Sequence, residues 1–238
     1  MALLLRVNLP FFIPDPADVR VKICGITNPE DAKVAVRAGA NAIGLVLYPK
    51  SKRFLDLSAA APWLDALQGE VARVALLVNP GYDEVSRVLG SPVIDAVQLH
   101  GDETPEFCAA LAHLGKPVLK ALRVRSREVL AQATGYLVAA VLFDSYREGV
   151  YGGTGHAFDW QWLSHYRRPF IMSGGLTPDN VGAAVDSWKP FAVDVSSGVE
   201  VRPGKKDPAL VHAFVVNAKR KSVRQVCGAS GLEEPAAS

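Results

Sequence analysis

The sequence has few cysteines and almost no excess of charge of either sign, with a formal net charge of +2, and both features exclude classes of function. Three cysteines among 238 residues cannot all pair with one another, and none has a spacing typical of a metal site. We therefore expect no metal and a reducing, cytoplasmic location. The 26 basic and 24 acidic residues are scattered, without a basic stripe interleaved with aromatic residues. A nucleic-acid partner is therefore not predicted.

Long apolar runs are also missing, so we expect no membrane partner. Residues 1–13 are apolar but are interrupted by Arg6, Asn8 and Pro10, and they lack the layout of a signal peptide. Residues 1–18 are predicted to be an N-terminal extension of unknown role. Residues 222–238 combine Gly, Ser, Ala and Pro with little periodicity, which predicts a disordered tail. The catalytic domain is expected over residues 19–221.

Short apolar runs alternate with helical segments along this domain. The alternation is typical of an α/β fold built from βα units, and one eight-fold barrel needs roughly 250 residues. We predict a single (βα)8 TIM barrel with parallel strands; an open doubly wound sheet is the alternative. Strands are predicted at residues 19–24, 42–47, 74–78, 96–99, 117–121, 137–144, 170–173 and 191–195. Helices are predicted to begin at Asn28, Thr104 and Thr177, each followed by proline, and short ones near residues 82–89 and 160–166.

The end of the first strand carries a candidate base. In a βα barrel the carboxyl ends of the strands form the active face, and strand alternation directs Lys22 and Cys24 to the interior there. A cation about 6–7 Å from a thiol favours the thiolate. Asp194 also points inward, so it is expected to pair with Lys22 and to offset part of this effect. The alternative for Cys24 is a small buried hydrophobic residue.

Asp144, at the end of the sixth strand, is a candidate acid. It follows an apolar strand, and desolvation at the rim of the interior keeps a carboxylic acid protonated longer. A helix cap or a partner for an arginine is the alternative. The glycine-rich segment that follows, residues 147–155, is predicted to form a mobile lid.

Glycines and serines after the seventh and eighth strands predict a phosphate site. Glycine lets main-chain N–H groups approach an anion, and a helix N-terminus adds a favourable dipole. Glycines that only turn the chain are the alternative. The predicted phosphate-binding residues are Gly153, Gly174, Gly175, Ser196, Ser197 and Gly198.

Several runs resemble the phosphoribosylanthranilate isomerase family. They are Lys-Ile-Cys-Gly-Ile-Thr at 22–27, Tyr-Pro-Lys-Ser-Lys-Arg at 48–53 and Val-Gln-Leu-His-Gly at 97–101. Gly-Gly-Thr-Gly at 152–155, Ser-Gly-Gly-Leu at 173–176, and Val-Asp-Val-Ser-Ser-Gly-Val-Glu at 193–200 followed by Pro-Gly-Lys-Lys-Asp also agree. The resemblance covers about residues 19–219, in order and with compatible spacing.

The resemblance implies an enzyme of tryptophan biosynthesis that needs no cofactor. Its reaction is the Amadori rearrangement of N-(5-phosphoribosyl)anthranilate to 1-(2-carboxyphenylamino)-1-deoxyribulose 5-phosphate, with Cys24 as general base and Asp144 as general acid. Arg53 would contact the anthranilate end of the substrate. The substrate-binding residues are expected to be Lys22, Arg53, His100 and Asp194.

Two other functions stay open from the sequence alone. One is a non-catalytic barrel that binds a phosphorylated sugar. The other is a relative that acts on the aminoaldose of the histidine pathway, where an aspartate is expected in place of Cys24. Arg53 could equally be a surface charge, and His100 a packed strand-end histidine. The expected partner is a phosphorylated small molecule, and the chain is expected to act as a monomer or homodimer.

Overall fold

A computed structural model describes residues 10–12, 18–145 and 160–220 of the chain. Eight parallel strands follow one another around a closed barrel, and the first strand pairs with the eighth. The closure confirms the TIM barrel and excludes the open sheet. The strands are β1 (Arg20–Cys24), β2 (Ala42–Val46), β3 (Ala72–Leu77), β4 (Ala96–Leu99), β5 (Val118–Val124), β6 (Ala140–Ser145), β7 (Phe170–Met172) and β8 (Ala192–Val195).

Helices cover the outside of the barrel. Those in the described ranges are α1 (Pro29–Arg37), α2 (Leu57–Asp65), α3 (Tyr82–Gly90), α4 (Pro105–Ala110), α5 (Glu128–Gln132), α6 (Val181–Trp188) and α7 (Pro208–Lys219). A two-stranded hairpin, β9 (Glu200–Arg202) and β10 (Lys205–Lys206), lies between β8 and α7. In these parts of the chain no helix is both long enough and apolar enough to cross a bilayer.

Two of the three predicted helix starts are confirmed. The side chains of Asn28 and Thr104 accept hydrogen bonds from the main-chain N–H groups of Asp31 and Phe107, as N-caps do. The start predicted at Thr177 is wrong, because α6 begins at Val181. Asn180 instead accepts from the Thr177 amide and donates to a carbonyl of the preceding loop, so these residues form a turn.

Two further differences concern the sixth βα unit. The predicted strand 137–144 begins too early, because Leu137 is apolar but 71% exposed and β6 starts at Ala140. The helix predicted near residues 160–166 is a short 3-10 helix, Trp160–His165. The predicted lid at 147–155 and the tail at 222–238 lie outside the described residues.

The amino-terminal end of the barrel interior is filled by the extension. Five strands begin with a buried alanine, which leaves room at the barrel axis; these residues are Ala42, Ala72, Ala96, Ala140 and Ala192. Phe11, completely buried, and Phe12 occupy that room, with their rings edge to face at 5.0 Å. Part of the predicted extension is therefore packed into the barrel, on the side opposite the strand ends that carry the site.

Phe11→Ala is expected to lower the free energy of unfolding by about 2–3 kcal/mol. This lies below the usual loss for a buried phenylalanine, because a short terminal segment can detach instead of leaving a cavity. Denaturant unfolding followed by circular dichroism measures it, with Leu137→Ala as an exposed control. Unchanged stability in Phe11→Ala would show that the ring does not fill the barrel.

Candidate active site

The carboxyl ends of the strands open onto one pocket of about 670 Å³, counting the part open to solvent. Ten of the predicted site residues line it: Cys24, Arg53, His100, Asp144, Gly174, Gly175, Asp194, Ser196, Ser197 and Gly198. Lys22 lies beneath the pocket, and Gly153 falls outside the described residues. One wall of the pocket, next to Cys24, was not predicted from the sequence. This wall is largely apolar and consists of Val46, Tyr48, Leu76 and Val78.

An ion pair closes the barrel directly below Cys24. The pairing of β1 with β8 sets Lys22 opposite Asp194, and Lys22 Nζ donates to Asp194 Oδ1 at 2.7 Å. Ser173 Oγ donates to the other carboxylate oxygen at 3.2 Å. Burial works against the charge of Lys22, but Asp194 and the Cys24 sulfur outweigh it and raise the lysine pKa. The predicted pairing is confirmed, and it keeps a cation next to the thiol.

The thiol of Cys24 is less acidic than the sequence suggested. Burial raises its pKa above the ordinary value, and the Asp194 carboxylate acts in the same direction. Lys22 and Lys206 lower the pKa, but they do not overcome the effect of burial. Lys22 therefore favours the thiolate, as expected, but burial has the larger effect on the pKa of the thiol.

Gly44 gives Cys24 the space it occupies. The two residues are register partners on β1 and β2, and a Cβ added to Gly44 would lie 2.6 Å from Cys24 Sγ and 3.0 Å from Lys22 Nζ. Neither atom can yield easily, because the sulfur is buried and the ammonium is held by Asp194. A side chain at position 44 would therefore displace the thiol.

Gly44→Ala is expected to lower kcat/KM by about tenfold to a hundredfold, since a displacement near 1 Å at a reacting group has effects of that size. Steady-state kinetics measures the loss. Gly90→Ala is the matched control, because a Cβ there meets no atom within 4 Å. Wild-type kinetics in Gly44→Ala would contradict the assigned position of the thiol.

Asp144 and His100 form a buried pair across the pocket from the thiol strand. His100 Nε2 lies 3.2 Å from Asp144 Oδ2. The Gln98 side-chain nitrogen lies 3.1 Å from His100 Nδ1, and an amide nitrogen can only donate. In this arrangement Nδ1 accepts, so a His100 ring that carries one proton has it on Nε2, the nitrogen nearer Asp144. The two groups are in contact, but they do not form an aligned hydrogen bond. Gln98, which strand alternation places below His100, was not given a role from the sequence.

The loops after β7 and β8 meet at one corner of the pocket. Gly174 and Gly175 have φ of 85° and 69°, a region that disfavours any other residue. A Cβ at Gly198 would collide with the carbonyl of Leu176, so the two loops approach as bare main chain. The predicted phosphate residues of these loops are thus brought together, and they offer amides and hydroxyls to an anion.

Arg53 is tied to a residue that sequence reasoning did not select. Its Nε and Nη2 donate to the two carboxylate oxygens of Glu200 at 2.9 and 2.6 Å. Although burial opposes its charge, Glu200 raises the arginine pKa, so the guanidinium stays charged. Arg53 is therefore not a loose surface charge, and the same side chain lines the pocket.

Lys206 is a second missed residue, fully enclosed at 1% exposure. Its Nζ donates to the main-chain carbonyls of Cys24 and Ser196 at 2.5 and 3.2 Å, and to Glu200 Oε1 at 2.9 Å. Glu200 and Lys206 both belong to the family motif at 193–207. The sequence alone assigned no role to the charged residues of that motif. Among the described residues, no group of three or more His, Cys, Asp and Glu is placed to bind a metal.

Comparison with known proteins agrees with this geometry. The family described as "PRAI: N-(5'phosphoribosyl)anthranilate (PRA) isomerase" matches residues 21–217. The Neisseria gonorrhoeae N-(5'-phosphoribosyl)anthranilate isomerase is 47% identical over 86% of this chain and 98% of its own, and a Pseudomonas aeruginosa enzyme of that name is 48% identical over 85% and 97%.

Solved structures give the same result. The phosphoribosyl anthranilate isomerase of Thermotoga maritima is 41% identical, with a TM-score of 0.77, over 84% of this chain and 98% of its own. A phosphoribosyl anthranilate isomerase in complex with reduced 1-(o-carboxyphenylamino)-1-deoxyribulose 5-phosphate is also 41% identical, with a TM-score of 0.74 over the same shares. The chain therefore belongs to the N-(5'-phosphoribosyl)anthranilate isomerase family.

Proposed function

We propose that this protein isomerises N-(5-phosphoribosyl)anthranilate to 1-(2-carboxyphenylamino)-1-deoxyribulose 5-phosphate by general acid-base catalysis, as a step of tryptophan biosynthesis. One observation carries the assignment of roles. A thiol with two neighbouring ammonium groups and a carboxyl–imidazole pair line the same pocket, which also has an anion-binding corner. An aldose-to-ketose proton shift needs one base, one acid and one grip on the phosphate.

Substrate binding uses opposite sides of the pocket. The phosphate is held by the main-chain amides and hydroxyls of the β7 and β8 loops, with Gly153 as a further ligand. The anthranilate ring packs on the apolar wall beside Cys24, and Arg53 receives its carboxylate. This arrangement places the sugar between Cys24 and Asp144.

The acid acts first. Asp144 donates a proton to the ring oxygen, the bond from that oxygen to carbon 1 breaks, and the anthranilate nitrogen supplies the electron pair that forms a cationic Schiff base. His100, whose Nε2 lies 3.2 Å from Asp144 Oδ2, stabilises the carboxylate that remains.

The base acts on the Schiff base. Its cationic nitrogen acidifies the proton on carbon 2 and, together with Lys22 and Lys206, favours the thiolate of Cys24 against burial. The thiolate takes that proton to give an enolamine. Carbon 1 then takes up a proton and the enol hydroxyl on carbon 2 releases one, which leaves the ketone. The bound Schiff base thus adds a third positive charge beside the thiol.

We propose that residues 19–221 form the catalytic domain and that one chain suffices, as monomer or homodimer, because every side chain assigned here comes from a single barrel. No cofactor enters these steps. The unpaired thiols of Cys24 and Cys108 support a cytoplasmic location.

The test is steady-state turnover of freshly generated phosphoribosylanthranilate, followed by the loss of anthranilate fluorescence. Rapid turnover by folded wild-type protein is expected. An inert but folded protein would favour a non-catalytic sugar phosphate-binding barrel, and comparable turnover of the histidine-pathway aminoaldose would overturn the substrate preference.

A further inference from the structure

The guanidinium of Arg53 is oriented by a carboxylate that does not itself line the pocket. Glu200 engages Arg53 through two parallel hydrogen bonds, and the two side chains are only 4% and 14% exposed. A fork of this kind fixes the plane of a guanidinium as well as its position. Two of the five N–H donors of Arg53 are used in this way, which leaves its other edge for the pocket.

Glu200 is itself held by three residues. Besides Arg53, its Oε1 accepts from Lys206 Nζ at 2.9 Å and from the amide of Gly204 at 3.2 Å, across the β9–β10 hairpin. Lys206 is in turn bonded to the carbonyl of Cys24. The carboxylate therefore joins the β2 loop, which carries Arg53, to the end of β1, which carries the thiol.

The charges of this cluster favour the binding of one anion. Arg53 and Lys206 each contribute one positive charge and Glu200 one negative charge, so the cluster has a net charge of +1. A single carboxylate arriving at Arg53 would neutralise it. Glu200 is close enough to repel that carboxylate. It therefore weakens the attraction between the carboxylate and the cluster, while it orients the guanidinium of Arg53.

We propose that Glu200, held in place by Lys206, is a positioning residue that sets the guanidinium of Arg53 for the carboxylate of the substrate. This role rests on the proposed function, because the carboxylate that Arg53 receives is that of the anthranilate group. Glu200 acts through Arg53 and touches neither the sugar nor the phosphate.

Glu200→Gln separates orientation from charge. The probes are the reduced carboxyphenylamino-deoxyribulose phosphate, which has a carboxylate and a phosphate, and inorganic phosphate, which has no carboxylate. We expect the dissociation constant of the first to rise about tenfold and that of the second to change by less than about twofold. KM should rise by the same factor, with kcat within about threefold. Glu70→Gln, an exposed residue in the turn between α2 and β3, is the matched control.

Other outcomes overturn the role. If Glu200 acted only through its charge, Glu200→Gln would bind both anions more tightly. If Glu200 only stabilised the local structure, Glu200→Gln would bind both anions more weakly. In an Arg53→Met background Glu200→Gln should alter the binding of the carboxylate probe by less than about twofold, and a full additional loss would show that it does not act through Arg53.

A second measurement serves if Glu200→Gln does not fold. A crystal structure of the wild-type complex with the carboxylate probe should show Arg53 still bonded to Glu200, with its other edge on the carboxylate. Separation of Arg53 from Glu200 would refute the positioning role. Wild-type protein that neither binds this probe nor turns over substrate would overturn the proposed function itself, whereas normal wild-type behaviour with an unaffected Glu200→Gln overturns only the role of Glu200.

Discussion

Cys24→Ser is expected to lower kcat by about a hundredfold to ten-thousandfold, the range lost when a general base is removed. A serine hydroxyl nearly matches the thiol in size but holds its proton far more tightly, so the neighbouring ammonium groups of Lys22 and Lys206 cannot generate the base. Turnover of phosphoribosylanthranilate measures the loss. Binding of the reduced product analogue should change by less than about threefold, because Cys24 transfers a proton and does not hold the phosphate.

Cys108→Ser is the matched control. Cys108 is also a free buried cysteine, but it lies on α4 outside the barrel, and burial raises the pKa of its thiol to about 11. Near-normal kcat is expected there. A large loss of analogue binding in Cys24→Ser with kcat almost unchanged would remove Cys24 from the role of base.

Asp144→Asn is expected to lower kcat by a similar factor, about a hundredfold to ten-thousandfold. The amide keeps the shape of the carboxyl group and its place beside His100, but it has no acidic proton for the ring oxygen. Single-turnover kinetics with preformed substrate measures the chemical step directly.

The control for Asp144 is Asp102→Asn, since Asp102 pairs with Arg123 and has a side chain 64% exposed at the same end of the barrel. It should retain nearly full activity. If Asp144→Asn turned over at the wild-type rate, the ring would open without this acid, and the pair with His100 would be structural.

The barrel was predictable because buried parallel strands are short apolar runs, and such runs are visible in one sequence. The prediction of the sixth strand failed at Leu137 because this apolar residue is exposed. The predicted helix start at Thr177 failed because a turn there has the same sequence pattern as the start of a helix. The packing of Phe11 was not predictable, because it depends on a ring of alanines scattered over five strands.

The lining of the pocket was predictable where a single strand end identifies a residue, as with Cys24, Asp144 and the glycine loops. The pKa of the thiol was not, because it depends on how fully the site is desolvated, which only the packed structure determines. Glu200 and Lys206 were missed for a related reason. Their roles follow from contacts with Arg53 and with the Cys24 carbonyl, which lie far away in sequence.

The closure of the barrel between β1 and β8 also governs when the site can exist during synthesis. Lys22 and Asp194 are 172 positions apart, and the Cys24 carbonyl and Lys206 are 182 apart. The ribosome therefore makes Cys24 and Lys22 long before Asp194 and Lys206, which complete their surroundings. Until the eighth strand and its hairpin are released, Cys24 is an ordinary cysteine without a barrel around it, so a nascent or truncated chain can be oxidised there but cannot catalyse the reaction.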